Sequence, residues 1–495
     1  MSEGVSFMEM FKAEFDSLHK FSCPDWYRDA KFGIWSHWGP QSVACCGDWY
    51  ARNMYQQDTP QYNHHVRVYG HPSKFGYKDL CALWKAENFD PAYLMDKYVK
   101  AGARFFVAQA VHHDNFFNYD SDINRFNSVK IGPGKDICAM WKKEAQRHGI
   151  PFGITEHLAY SYSWWRTNKG CDQRGRYKGV LYDGSDPEYK DFYHDNFEYK
   201  EKGTIYSYPL ERMLTQNENF RSYWLDSVKE MIDRLSPDLL YSDSPLPFGE
   251  EGLDNPGSEY AKGLEAVSYL YNRSIEKNGY NKALYTQKDR RSSVYKVGVL
   301  DYERNLPSSV PDEPWQYDTC IGGWFYDPRI PYKTTGHIIG LLCDVISRNG
   351  TLLLNIIQKP DGSLDEEADQ ILDDLAAWFS INAEAVYGTR PYRVCGEGPN
   401  ISFMAEDRGP APEEPCDWKS DDFRFVQKDG AVYVFALGAK GGDSLNIKSL
   451  ASVNTGSVSL LGAGPVAFEA AEDGLRIKLP EVLPSDYVNV FKVLN

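Results

Sequence analysis

Pro237-Asp238-Leu239-Leu240-Tyr241-Ser242-Asp243-Ser244 is a short apolar run stopped by a carboxylate. Leu239, Leu240 and Tyr241 have the length and unbroken hydrophobicity of a strand covered on both faces, and Ser242-Asp243-Ser244-Pro245 ends it with turn-forming residues. Asp243 then has two readings. It is a turn Asp bonded to its own backbone, or a reactive group displayed at a strand end.

Working outward, the chain builds a parallel barrel around that strand. Residues 219–235 carry Trp224, Val228, Ile232 and Leu235 at helical spacing and lead straight into it. Strand-like runs are expected at 32–37, 104–111, 151–156, 239–243, 283–286 and 297–303, with a less regular one after Trp315 and an eighth at 351–356. Helices are expected at 90–98, opened by an Asp cap and Pro91, and at 136–147, 260–277, 337–348 and 366–387. Asn349-Gly350 supplies a left-handed stop before the eighth strand. Such alternation is the pattern of parallel βα units, and eight of them fit a (β/α)8 TIM-like barrel whose active site lies at the strand C-termini. A loop-rich insertion is expected through about residue 88, and a long loop over one face at 160–215.

From Pro391 onward the helical period vanishes. Short alternating runs at 424–426, 431–436, 457–460 and 475–478, separated by turns such as Asp429-Gly430, predict a C-terminal antiparallel β-sandwich. The expected division is therefore a catalytic barrel over 1–390 and a sandwich over 391–495.

Aromatic residues make up 15% of the chain, a supply of flat side chains suited to a large core or to stacking on sugar rings. A formal charge of −16 argues against a nucleic-acid or anionic-membrane partner, and no apolar run approaches the length of a membrane span. The ten cysteines show no CxxC spacing, so neither a zinc site nor a small-domain disulfide framework is signalled. The start Met1-Ser2-Glu3-Gly4 carries acid where a signal peptide needs base. A cytoplasmic location is expected from these features, or a secreted or periplasmic one if a signal peptide has been removed. Oligomerisation is left open.

The expected strand ends carry His37, His112-His113-Asp114, Glu156-His157, Asp243 and Glu303. Because barrel strand ends converge, these groups should share one cavity. Asp243 and Glu303 supply the carboxylate pair that glycoside cleavage needs. A metallohydrolase would recruit His112, His113, Asp114 and His157 instead. Adjacent residues of a strand face opposite ways, however, so His112 and His113 are not expected to share one coordination sphere. A sugar suits imidazoles and carboxylates, which donate and accept at fixed angles, and Trp35, Trp38, Trp49 and Trp324 are available to cover its apolar face.

Five stretches carry a family resemblance. Phe32-Gly33-Ile34-Trp35-Ser36-His37-Trp38-Gly39-Pro40, Asp48-Trp49-Tyr50-Ala51-Arg52-Asn53-Met54-Tyr55, His112-His113-Asp114, residues 347–355 and residues 382–388 together resemble the α-L-fucosidases of glycoside hydrolase family 29. The resemblance runs from about residue 20 to 392, with a weaker echo at Asp422-Phe423-Arg424-Phe425. It implies a retaining exo-acting fucosidase with Asp243 as nucleophile, no cofactor and no metal, acting on a fucosylated oligosaccharide or glycan. It also implies that His37, Asp48, Trp49, His112 and His113 hold the sugar, and places Tyr241 where the family often has Trp. His157, Tyr241 and Trp324 complete the expected binding set. Relatives of this kind place the acid/base in a Glu-Arg pair, here Glu303-Arg304.

Three positions depart from the commonest pattern: Ser244 and Asn115 replace usual glycines, which bears on pocket shape, and Gln316 replaces a frequent Glu. Gln316 cannot deliver a proton, so Glu303 is the expected acid, with Glu313 as its rival. The expected mechanism has Asp243 ionised and attacking the anomeric carbon while Glu303, kept neutral near pH 7 by a raised pKa, protonates the leaving oxygen. A catalytically silent sugar-binding protein, a metal-dependent hydrolase and an α-L-galactosidase are the alternatives.

Overall fold

The computed structural model describes residues 10–196, 213–249, 258–307, 309–401, 417–451 and 453–494. Eight strands form one sheet: β1 Phe32–Ser36, β2 Phe106–Val111, β3 Phe152–Glu156, β4 Leu239–Ser242, β5 Leu284–Gln287, β6 Val299–Leu300, β7 Trp315–Cys320 and β8 Gly350–Asn355. Their order is β6-β5-β4-β3-β2-β1-β8-β7, with every pair parallel. A parallel bridge between Asp301 and Gln316 joins β6 to β7 and closes the ring into a (β/α)8 barrel.

Every residue of these strands is buried, because helices cover the outside and side chains fill the inside. The helix Glu218–Leu235 shows how one βα unit is cut. Asn217 caps it by accepting from the Phe220 N–H at 3.0 Å, Phe220, Trp224, Val228, Ile232 and Leu235 bury one face, and Ser236 at φ +43° ends it before β4. The barrel interior holds Trp35, Phe105, Val107, Leu239, Tyr241, Leu284, Val299 and Leu353 in one cluster. A Cβ on Gly33 would lie 2.3 Å from the Phe105 ring, so β1 needs glycine where that ring fills the barrel.

Strand alternation then sets the site. Inward residues repeat every second position, so Trp35 is followed by His37, Tyr241 by Asp243, and Val299 by Asp301 and Glu303. The cluster is the apolar floor, and the residues that continue each inward row past the strand end are the functional layer above it.

Two strands differ from expectation. The sixth is a strand only over Val299 and Leu300; Asp301 then makes the single bridge to Gln316, and its carboxylate, which accepts from Gln316 Nε2 at 3.0 Å, the Tyr241 hydroxyl at 3.1 Å and the Glu303 N–H at 3.2 Å, holds the chain where it turns away beyond that bridge. The seventh is a fully regular six-residue strand; its polar Gln316, Asp318 and Thr319 interrupt the apolar run that marks a strand in sequence. Across the expected loop at 160–215, residues 158–169 and 183–193 form short helical turns that bury Trp164, Trp165, Phe192 and Tyr193, residues 170–182 are loop with isolated bridges, and 197–212 lie outside the described residues. The insertion before residue 88 likewise folds as short helices, among them Pro60–Val68 and Tyr77–Cys81.

The C-terminal part is an antiparallel β-sandwich. Strands β9 Arg390–Glu397, β10 Phe423–Lys428, β11 Ala431–Ala436, β12 Ser444–Ile447, β13 Ser457–Leu460, β14 Gly464–Pro465, β15 Phe468–Ala471, β16 Gly474–Lys478 and β17 Asn489–Leu494 form sheets ordered β14-β13-β17-β11-β10-β9 and β12-β16-β15. Alternation along β11 sends Val432 and Val434 to the sandwich core, and Tyr433 and Phe435 to the core shared with the barrel helices. Buried Arg424 fastens the two parts by pairing with Asp344, which Arg348 also reaches at 3.2 Å. No helix among the described residues is long and apolar enough to cross a membrane.

Candidate active site

At the C-terminal rim, Asp243 Oδ2 accepts a hydrogen bond from His157 Nδ1 at 2.8 Å and lies 3.4 Å from His113 Nε2. Its Oδ1 contacts the Lys288 ammonium and sits 3.4 Å from the Tyr241 hydroxyl. The same ammonium donates to Glu303 Oε2 at 2.5 Å. Burial pushes the Asp243 carboxyl up, but Lys288 and His157, with the hydrogen bonds from His113 and His157, outweigh it and hold the group well below the usual carboxylate range. It is therefore an anion at any pH near neutrality. Burial opposes the Lys288 charge, and Asp243 and Glu303 overcome this and raise it well above an ordinary lysine.

Four imidazoles line one wall. Ring centres of His112 lie 5.1 Å from His37, 4.6 Å from His113 and 4.8 Å from His157. Burial, then the neighbouring imidazoles, hold His37 and His112 well below the normal histidine range, so both are neutral and each offers one donor and one acceptor. The Ala51 N–H donates to Gln41 Oε1 at 3.3 Å, which turns the Gln41 amide nitrogen toward His112 Nδ1 at 2.8 Å. His112 Nδ1 must accept, leaving its Nε2–H facing the pocket, 3.9 Å from Asp48 Oδ1. Asp48 is half-buried, and burial pushes its carboxyl up to about 7. His37 Nδ1 and Asp48 Oδ1 have no hydrogen-bond partner among the described residues, and both belong to the wall that would meet hydroxyl groups.

Aromatic rings complete the cup. Trp324 lies 5.4 Å from Trp35 and 5.5 Å from His37, and Trp49 lies 6.0 Å from His113. Trp49 holds a left-handed backbone at φ +56°, a strain that only a well-fixed surrounding sustains.

Several expectations change. Tyr241 is completely buried beneath Asp243, and its hydroxyl serves Asp243, Asp301 and Asp318, so it supports carboxylates and does not reach the sugar space. His112 and His113 both face the pocket, because β2 ends at Val111 after a register shift and strand alternation no longer governs them. Asn115 stands at φ +60° where glycine is usual, and its amide bonds to the Asp191 and Phe192 carbonyls, outside the pocket. Ser244 bonds to the Pro245 carbonyl at 2.7 Å. Gln316 belongs to the barrel interior, bonded to Asp301 and Tyr27. Glu313 is exposed ahead of β7, at the barrel end opposite the site.

Trp38 packs on Trp84 and Phe89, away from the cup. Phe325, 4.6 Å from His37, and Lys288 were not foreseen; the row Leu284, Thr286, Lys288, which runs one residue past the end of β5, was the available signal for the lysine. Two sets could offer ligand atoms to one metal ion, His37 with His112 and His157, and His113 with His157 and Asp243. In these sets His157 Nδ1 is already engaged by Asp243 and His112 Nδ1 by Gln41.

A parallel barrel that sets two carboxylates on one ammonium at its C-terminal rim, walled by imidazoles and indoles, defines a glycoside hydrolase. The chain belongs to the alpha-L-fucosidase family, whose model matches residues 2–384. It is 26% identical to the tissue alpha-L-fucosidase of Homo sapiens, over 96% of this chain and 89% of that protein, and 25% identical to its counterpart from Macaca fascicularis, over 97% and 89%. Among solved structures it resembles the Thermotoga maritima alpha-fucosidase in complex with a mechanism-based inhibitor, with a TM-score of 0.74 and 22% identity, covering 98% of this chain and 100% of that one.

Proposed function

We propose that the protein is a retaining exo-α-L-fucosidase that removes terminal α-L-fucosyl units from oligosaccharides or glycoconjugates, with Asp243 as nucleophile and Glu303 as acid/base. One observation carries this reading: the two carboxylates contact a single nitrogen, the Lys288 ammonium, which holds them close together on one side of the cup, as a retaining pair requires. Retaining pairs stand about 5 to 5.5 Å apart, whereas inverting pairs need about 6.5 to 9.5 Å to admit a water.

Asp243 attacks the anomeric carbon from the β face as Glu303 gives its proton to the departing oxygen. Water, deprotonated by Glu303, then displaces Asp243 and restores the α configuration. His37, His112 and Asp48 read hydroxyls, and Trp324 and Trp49 cover apolar carbon. The barrel, taken as 1–390, carries the chemistry, and the sandwich over 391–495 braces it through Arg424. The described cysteines are all free, which supports a reducing compartment.

The test is hydrolysis of 4-nitrophenyl α-L-fucoside followed by proton NMR. The first-formed sugar should be α-L-fucose, with the matching α-L-galactoside cut far more slowly and activity unchanged in strong chelator. A β first product would sink the retaining assignment, preference for the galactoside would move the substrate, and loss in chelator would restore the metal reading. Within the wall, His37→Ala and His113→Ala are each expected to weaken binding of free L-fucose by about 1 to 3 kcal/mol, the cost of a hydrogen bond lost from a desolvated site. Calorimetry showing unchanged affinity would remove them from the sugar wall.

A further inference from the structure

We propose that Lys288 is a charge-positioning residue that follows the negative charge between Asp243 and Glu303 through the catalytic cycle. The inference rests on the nucleophile and acid/base roles proposed above. It starts from geometry: the Lys288 ammonium contacts Asp243 Oδ1 and donates to Glu303 Oε2 at 2.5 Å, with all three side chains about a fifth to a quarter exposed. Its backbone N–H donates to the Ser244 carbonyl at 2.9 Å, which ties the end of β5 to the residue after the nucleophile.

A retaining cycle moves one negative charge back and forth. In the first half, Asp243 oxygen bonds to the anomeric carbon and the glycosidic C–O bond breaks, while the Glu303 proton goes to the leaving oxygen. Asp243 becomes a neutral ester and Glu303 a carboxylate. In the second half a water proton goes to Glu303, the water oxygen bonds to the carbon, and the ester bond breaks to return the charge to Asp243. A cation fixed on one side alone would favour one state and retard departure from it. An ammonium in reach of both carboxylates has an anionic partner in either state, and needs only a small shift on a flexible stem to follow the charge.

The surroundings keep Lys288 charged for this task. Facing it are Asp243 beyond β4, Asp301 and Glu303 beyond β6, Asp318 on β7 and His157 beyond β3, and the Tyr241 ring centre lies 5.9 Å away. The Tyr241 hydroxyl also lies 3.1 Å from both Asp301 and Asp318, within hydrogen-bond reach of the two carboxyl groups beneath the ammonium.

The experiment compares wild type, Lys288→Met and Lys288→Arg as full chains. Labelling with 2-deoxy-2-fluoro-fucosyl fluoride reads the nucleophile, because fluoride leaves without a full proton; mass spectrometry gives its rate against pH. Losing the cation makes the Asp243 carboxyl harder to ionise, so the acid limb in Lys288→Met should move up by at least about one pH unit. The labelled enzyme should also reactivate more slowly, because Glu303 loses the partner of its base form. Lys288→Arg should keep the wild-type limb, and Lys288→Gln should move it as Met does, covering the case in which Met fails to fold. Uniformly slower labelling with an unmoved limb, or a limb moved equally by Arg, would overturn the proposal in favour of a packing role. Wild-type protein that takes no label on Asp243 would instead overturn the nucleophile assignment.

Discussion

Asp243→Ala is expected to lose turnover of 4-nitrophenyl α-L-fucoside by on the order of ten-thousand-fold or more while remaining folded, because the covalent half of the cycle has no other acceptor. Fold retention follows from position. Asp243 ends an inward row above the apolar floor, and Lys288 keeps Glu303 as a partner when the aspartate is gone. Some stability should still be lost at neutral pH. The folded Asp243 carboxyl sits well below its unfolded value of about 3.9, so its contribution is fully present above that pH and vanishes as pH falls through the folded value. Wild type and variant should therefore differ in denaturation midpoint at pH 7 and converge in strong acid. Azide should partly rescue the variant by occupying the vacated β side, and one inversion of the α substrate then yields the β-fucosyl azide. Activity on the aryl fucoside close to wild type, with native circular dichroism, would disqualify Asp243.

Much of this site was legible because a barrel strand reads in steps of two. Trp35 announces His37, and Tyr241 announces Asp243. Val299 announces Asp301 and Glu303, even though the ladder has already broken there. Lys288 obeys the same rule from Leu284 and Thr286. A lysine beyond a short strand carries no chemical signature of its own, however, and only the approach of β4 and β6 in space gives it two carboxylates. The seventh strand was obscured for a related reason, since Gln316 and Asp318 are polar because they line the barrel, and a strand with polar inward positions looks irregular to a hydrophobic pattern. Trp164, Trp165, Phe192 and Tyr193 follow no single period, because contacts distant in sequence bury them. In the sandwich, β9 and β15 present half-exposed faces and short alternations that hardly differ from loop sequence.

The sharpest result is expected from Glu303→Ala, because loss of a general acid hurts each substrate according to how much its leaving group needs a proton. A nitrophenolate departs unaided, so the variant should lose far less rate on the aryl fucoside in the first step than on a fucosyl-oligosaccharide, whose sugar alkoxide does not. On oligosaccharide the loss should reach the upper part of the roughly hundred- to ten-thousand-fold range usual for positioned acid/base groups. In the second step the missing carboxylate no longer draws a proton from water, so the fucosyl ester on Asp243 should accumulate and be visible by mass spectrometry after a burst of nitrophenol. Azide needs no base and enters from the side that Glu303 left. Attack on the β-linked ester from the α face gives the α-fucosyl azide, the opposite anomer from the Asp243→Ala product. The pair of variants therefore assigns the two carboxylates by stereochemistry as well as by rate. A β-azide from Glu303→Ala would mean displacement that bypasses Asp243. Equal losses on both substrates with no rescue would move the acid away from Glu303, and with Gln316 inside the barrel and Glu313 at its far end, the next carboxylate to test would be Asp48, which faces the same cup with its carboxyl pushed up to about 7.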